Sequence, residues 1–410
     1  MSAAPKLVVA TSFPVYPPRG GGQVRIFGLY SALAQLGVDV EIVALDTFGS
    51  RPVEREIARG VREVRVPKAA EHAEAEYQLE LRAGMSVIDV GLAEYSHLTP
   101  AYGAALESAS RGASAVVASH PFAQPALVAC PRLPLIYEAH NVERDLKAGV
   151  LRESGAAAEV IGIVERVERA CCEDAALVVA TSAEDCDRLA ELYDLDRERL
   201  AVLPNGVDPG PLTFTPLDQR AEAKARLGLA GSFLALFLGS THEPNLVAIR
   251  EILETAEALP DTRFLVVGSA GLAFSDARIP PNVDICGVVE AEFIHTLLRL
   301  ADVALNPMRL GSGTNLKMLD YAYAGVPLLS TSFGARGMGL RPGRDYAVIE
   351  DAGLGAAILA LRAEPAASVA ERAASAHAHV SEHFQWSTIA ARWLQHPVMR
   401  ELLELASVPA

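Results

Sequence analysis

The sequence predicts an α/β chain built of two doubly wound parallel-sheet domains. Three observations predict it. Apolar runs of strand length alternate with segments of helical period along most of the chain. The series starts twice, at "KLVVAT" near the N-terminus and at "SFLALFLGS" from Ser232, each time as strand, loop and amphipathic helix. Between the two lies "LPNGVDPGPLTFTP", residues 203–216, dense enough in Pro and Gly to serve as a hinge.

Taken in order, "KLVVAT" (Lys6 to Thr11) leads through "SFPVYPPRGGG" into the helical "QVRIFGLYSALAQLG", where Val24, Phe27, Tyr30 and Leu33 or Ala34 fall on one face. "VDVEIVAL", "SAVVAS", "LPLIYEAH" and "AALVVATS" supply further strands, each ending at polar residues. Arg51, Arg55, Arg59, Arg62 and Arg65 form a basic stretch that could lean on anionic lipid, but the interleaved Glu54, Glu56 and Glu63 read as a solvated face. The second series continues with "TRFLVVGS", "VDICG", "DVALNP" and "VPLLST". "AEPAASVAERAASAHAHV" reads as a surface helix, and "WSTIAARWLQHPVMRELLELA" as a helix broken at Pro397. The expected division is residues 1–205, residues 206–385 and a helical tail, 386–410, packing back on the first domain.

Composition bounds the function. At 410 residues with half of them hydrophobic, the chain can bury two proper cores. A formal net charge of −15 excludes a nonspecific grip on nucleic acid or anionic lipid, which needs a basic field. Any phosphate is therefore met locally, by few residues. The five cysteines (Cys130, Cys171, Cys172, Cys186, Cys286) show no metal-ligand spacing and read as reduced core thiols. The opening "MSAAPKLVVATSFP" has only a short apolar run, and no segment has the length to cross a bilayer. The expectation is a cytoplasmic protein without signal peptide or membrane span.

In open parallel sheets ligands bind beyond the carboxyl ends of the strands, so the residues after each strand carry the interest. After "DVALNP" comes "MRLGSGTNLKMLDYAYAG". Gly311 and Gly313 let backbone approach a ligand, and Ser312 or Thr314 can cap a helix beginning near Asn315. The first amides of that helix, through Leu316, then form an anion site. Lys317 is electrostatically misplaced in a first helical turn unless an anion lies before it, and Arg309 would close the other side. Two cations with bare amides fit a diphosphate. Leu316, Leu319 and Tyr323 are expected on the core stripe, with Lys317, Asp320 and Ala324 on the neighbouring one. Asp320 can then accept two hydrogen bonds from vicinal hydroxyls, as a ribose offers. A plain Lys317 to Asp320 surface pair behind a glycine turn would leave Arg309 and the glycines unexplained. In the first half, Gly20, Gly21 and Gly22 permit close backbone approach. His120 ends one strand, and Glu138, His140, Asn141 and Glu143 follow the next; such polar density after "LPLIY" suggests a lining role toward an acceptor.

At these residues the chain resembles GT-B glycosyltransferases, particularly the retaining, glycosyltransferase family 4-like (group 1) kind. The resemblance is carried by "GSGTNLKMLDYAYAGVPLLST", "PPRGGGQVRIFGL", "VLPNGVD", "FLGSTHEPNLVAIREI" and "VDICGVVEAEFIHTLLRLADVALNP". It implies two Rossmann-like domains facing across a cleft, an acceptor side in the first and a nucleotide-sugar donor side in the second. It further implies transfer of a sugar from a nucleotide-diphosphate donor to a hydroxyl acceptor, with retention, no metal and no cofactor. By the same resemblance Gly21 and Gly22 border the donor phosphate, His120 touches the donor sugar, Gly239 and Ser240 line the donor site, and main chain near Gly287 and Val288 meets the nucleobase. Two departures stand out. The family's paired glutamates fall at positions 312 and 320, here Ser312 and Asp320, and the loop "THEPNL" lacks the cations many members place there. Donor contacts then fall to Ser312, Gly313 and main-chain amides, and charge to Arg309 and Lys317. The same fold also allows a nucleotide-sugar epimerase or a noncatalytic nucleotide-sugar-binding protein.

Overall fold

The computed structural model describes residues 4–84, 86–128, 133–151, 156–210, 212–275, 277–311, 313–351 and 353–405. The chain divides into two compact units, residues 1–204 with 386–410, and residues 205–385. The first runs β1 (Lys6–Thr11), α1 (Gly21–Gln35), β2 (Asp39–Asp46), β3 (Val53–Ala58), β4 (Val61–Pro67), α2 (Ala70–Ala83), α3 (Ile88–Tyr95) and α4 (Pro100–Ser110). It continues with β5 (Ala115–Ser119), α5 (Gln124–Leu127), β6 (Leu135–Ala139), α6 (Glu143–Val150), α7 (Ala157–Asp174), β7 (Ala175–Ala180), α8 (Ala183–Tyr193) and β8 (Leu200–Val202). The second holds α9 (Leu217–Arg226), β9 (Phe233–Leu238), α10 (Glu243–Ala258), β10 (Thr262–Val267), β11 (Val283–Gly287) and α11 (Ala291–Leu300). After these come β12 (Val303–Asn306), α12 (Leu316–Tyr323), β13 (Leu328–Ser330), β14 (Ala347–Val348), α13 (Gly353–Ala363) and α14 (Ala366–His383). The chain then returns to the first unit as α15 (Trp386–Leu394) and α16 (Pro397–Leu405).

Among the described residues the first sheet has the order β3-β4-β2-β1-β5-β6-β7-β8, parallel except for the antiparallel β3–β4 pair. The second is parallel, with the order β11-β10-β9-β12-β13-β14. Central strands such as β1, β5 and β9 are apolar on both faces because helices cover both sides. The strand order reverses between β1 and β5 in one sheet and between β9 and β12 in the other. These are the switch points where open α/β sheets leave a crevice at their carboxyl ends.

Three helix and strand expectations need correction. The buried face of α1 is Ile26, Leu29, Tyr30 and Leu33 together with Arg25, whereas Val24 and Phe27 are only half-buried. The basic stretch departs from a solvated face at Glu63: it forms the β3–β4 hairpin, where Arg51, Glu54, Glu56, Arg59 and Arg62 are exposed but Glu63 is fully buried. Its carboxylate accepts from the Val15 amide at 2.6 Å and the Tyr16 amide at 3.2 Å and pairs with Arg55 and Arg65, whose guanidiniums also reach the Tyr16 carbonyl. In α12 the buried residues are Met318, Leu319, Tyr321 and Ala322, while Leu316 and Tyr323 are half-buried. Tyr321 turns inward because its hydroxyl accepts from the Leu238 amide at 2.7 Å, which ties α12 to the end of β9.

The described cysteines Cys171, Cys172, Cys186 and Cys286 are free thiols, and burial raises each of them. Cys130 lies outside the described residues. No described helix is long and apolar enough to cross a membrane.

Candidate functional site

Polar residues gather at both switch points, each within its own unit. In the second unit β9, β10 and β11 all run into glycines, Gly239, Gly268 and Gly287. Gly239 donates to the Val267 carbonyl at 2.9 Å, and Gly268 to the Gly287 carbonyl at 2.7 Å. Gly268 has φ +107°, and a Cβ there would lie 2.2 Å from the Gly239 carbonyl oxygen, so only glycine lets the two strand ends abut. Sequence reading missed Gly268; the signal was three successive strands each closing on Gly. Beyond Gly287, Val288 and Leu272 are exposed apolar side chains.

The loop from β12 to α12 turns at Gly311 and Gly313, both with positive φ. Ser312 lies outside the described residues. The helix cap differs from expectation. Asn315 is the N-cap, without a side-chain bond to the helix, because its amide donates to the Gly334 carbonyl at 2.9 Å. Thr314 does not cap either, since its hydroxyl accepts from Asn205 at 2.8 Å. Neither side chain therefore covers the first amides of α12.

The Lys317 ammonium lies by the carboxyl ends of β9 and β12, among Phe237, Asn245 and Met308. It donates to Asn245 Oδ1 at 2.7 Å, lies 4.0 Å from the centroid of the Phe237 ring and 4.0 Å from Met308 Sδ. No carboxylate pairs with it among the described residues. Burial without a counter-charge pushes the amine down to about 7. Asp320, one turn on, is half-buried, and its carboxylate makes no ion pair or hydrogen bond among the described residues; burial, helped by Asp208, pushes it up to about 7. Lys317 and Asp320 thus do not neutralise each other. Arg309 lies elsewhere than expected: its half-exposed guanidinium sits on Glu251 of α10, at 3.2 Å. Two buried polar atoms without partners among the described residues, Thr11 Oγ1 and Asn306 Oδ1, belong to the last residues of β1 and β12.

The first unit shows a second cluster between the ends of β1 and β5. His120 adopts φ 67° and ψ 155°, a region that side chains with a Cβ rarely occupy and that costs about 1–3 kcal/mol. Its Nδ1 is 2.9 Å from Glu143 Oε1, and its ring lies 4.0 Å from that of His140 and 6.0 Å from that of Phe13. Burial alone would raise Glu143, but the bond from His120 and the nearby Lys147 carry it below the usual carboxylate value. Asn141 also donates to Glu143, at 3.1 Å. Glu168 completes this support, accepting from the amides of Glu143 and Arg144 and from the hydroxyls of Tyr137 and Tyr193. His140 is held neutral, pushed down to about 4 by burial and by His120, with Ser119 Oγ at 2.9 Å. Gly21 and Gly22 are the first residues of α1, and a Cβ on Gly22 would meet Phe13 at 3.0 Å and His140 at 3.7 Å.

Glu138 needs correction as an acceptor-lining residue. It is fully buried, with Arg25 at 2.8 Å and the Tyr30 hydroxyl at 2.9 Å, and Arg25 also donates to the Leu203 carbonyl at 3.0 Å. Both carboxylate oxygens are engaged, so Glu138 ties α1, β6 and residue 203 together.

Two family models match the chain, a "Glycosyl transferase 4-like domain" over residues 20–206 and "Glycosyl transferases group 1" over residues 232–364. In fold it is similar to sucrose-phosphate synthase from Thermosynechococcus elongatus, with a TM-score of 0.77 at 18% identity, covering 98% of this chain and 100% of that one. The chain belongs to the GT-B glycosyltransferases. This glycosyltransferase is also 27% identical to a D-inositol 3-phosphate glycosyltransferase of Streptomyces scabiei, over 94% of this chain and 88% of the relative. A further fold relative is HepE of Anabaena, solved in complex with UDP-glucose, with a TM-score of 0.66 at 14% identity over 98% of this chain and 100% of that one.

Proposed function

We propose that this GT-B glycosyltransferase moves a sugar from a nucleoside-diphosphate-sugar donor to a hydroxyl acceptor, with retention of configuration and without a required metal ion. Retention and metal independence rest on the family resemblance. The donor assignment rests on one observation above all: Lys317 is a cation with no counter-charge among the described residues, aimed at the switch point of the second sheet. A desolvated charge kept in such a crevice is a mark of function. A nucleoside diphosphate leaving group supplies the missing negative charge, and the first amides of α12, which neither Thr314 nor Asn315 caps, add fixed dipoles. Charge arranged before the reaction stabilises the departing diphosphate without reorganisation, which is the main task in this chemistry.

The other roles follow the same logic. The Asp320 oxygens, without a partner among the described residues, accept from the two ribose hydroxyls. The glycine edge at Gly239, Ser240, Gly268 and Gly287, with exposed Val288, takes the nucleoside. Arg309 can leave Glu251 for the diphosphate at little cost, since an exposed ion pair is worth about 0–1 kcal/mol. His120, with Glu143 fixing Nδ1–H, presents Nε2 toward the sugar; His140 and Asn141 face the acceptor. The test is transfer and binding with a panel of nucleotide sugars and nucleoside diphosphates. Lys317→Ala is expected to lower kcat/KM about a hundredfold. A wild-type chain that binds none of the nucleoside diphosphates would overturn the assignment.

A further inference from the structure

We propose that Asn245 is a positioning residue for the donor diphosphate, a neutral acceptor that fixes the Lys317 ammonium while leaving its charge to the ligand. The inference deepens the proposed function and rests on its reading of Lys317. Asn245 is the third residue of α10 and is buried. Its Nδ2 donates to the Ser240 carbonyl at 2.9 Å, and its Oδ1 accepts from Lys317 Nζ at 2.7 Å. The orientation of this amide is forced by chemistry, because a carbonyl only accepts and an ammonium only donates. One side chain thereby couples the loop after β9 to the cation on α12. Room for it comes from Gly239, where a Cβ would lie 3.2 Å from Asn245 Cγ and 2.8 Å from the Phe237 ring.

No other residue of this size does both tasks. An aspartate would set one oxygen against the Ser240 carbonyl and pair the other with Lys317, cancelling the charge a diphosphate needs. An aliphatic side chain would leave the ammonium only its weak contact with Met308 Sδ, at 4.0 Å. The remaining carboxylates of α10 nearby are occupied: Glu243 pairs with Arg250 and Glu251 with Arg309.

The test is calorimetric titration of the full chain with UDP, GDP, ADP and inorganic pyrophosphate. Wild type, Asn245→Asp, Asn245→Ala, Lys317→Met and the double variant Lys317→Met/Asn245→Asp are compared. Asn245→Asp is expected to weaken the best of these ligands by about ten- to hundredfold, as for loss of a charge-assisted hydrogen bond, and Asn245→Ala by less. In the Lys317→Met background the aspartate should add little, because there is no cation left to neutralise. A merely structural Asn245 would instead give the same loss in both backgrounds. Equal affinity of wild type and Asn245→Asp, or equal losses with and without Lys317, overturns the positioning role alone. Absence of binding by wild type to every probe overturns the reading of Lys317 and this inference with it.

Discussion

At the candidate donor site, Lys317 and Asp320 are groups whose burial works against the protein's own stability. The lysine drops from its ordinary 10.5 to about 7 and the aspartate rises from 3.8 to about 7, in both cases chiefly by burial. The signs differ. Between pH 7 and 10.5 the unfolded lysine holds a proton the folded one has released, so its contribution to stability rises with pH across that window and is lost as pH falls through 7. The Asp320 contribution is complete below 3.8 and lost as pH rises through 7. Ligand-free Lys317→Met should therefore be more stable than wild type at pH 6, by about 1 kcal/mol, while losing diphosphate affinity. Asp320→Asn should gain stability at pH 8 and little at pH 4. Thermal denaturation of the three proteins against pH checks both; a destabilised Lys317→Met would show that its ammonium serves the fold. At this scale the signature helix and its cation were legible from residue type and spacing. The partners were not: Asn245 is 72 positions from Lys317, and Glu251 is 58 from Arg309.

Among the elements, α12 is held at both ends by groups that no local pattern reveals. Its start is set by Asn315 on Gly334, and its end by Arg220 of α9. The Arg220 guanidinium is 1% exposed and donates to the carbonyls of Thr215, Leu298, Ala301 and Ala324, closing the carboxyl ends of α11 and α12. Burial pushes it down to about 10. Arg220→Met should cost about 2–4 kcal/mol, since buried carbonyls lose their donors. The fall in denaturation midpoint is expected with the donor-site side chains unchanged. Arg25, Glu63 and Glu138 teach the same lesson in the first unit. Charged residues in amphipathic segments read as surface, and they are inside only because a partner distant in sequence meets them.

At the scale of the whole chain, the tail belongs to the first unit. The Trp386 ring lies against Gly28 of α1, where a Cβ would come within 2.3 Å of Nε1, and Trp393 packs edge-on to Tyr30 with centroids 6.3 Å apart. Gly28→Ala should dislodge α15 and cost about 1–3 kcal/mol, read as a lower Tm with lost Trp burial in fluorescence quenching. Unchanged burial would contradict the packing. What the sequence by itself determined is the alternation of strand and helix, the two series, and the glycine-and-lysine loop after β12, because periodicity and φ-permissive residues are local properties. Strand order, the buried place of β4 with Glu63, the glycine edge at Gly268 and the seating of Trp386 against Gly28 were decided only by the tertiary structure. Each depends on which distant surface becomes available to bury a face or complete a hydrogen bond, and no window of neighbouring residues contains that information.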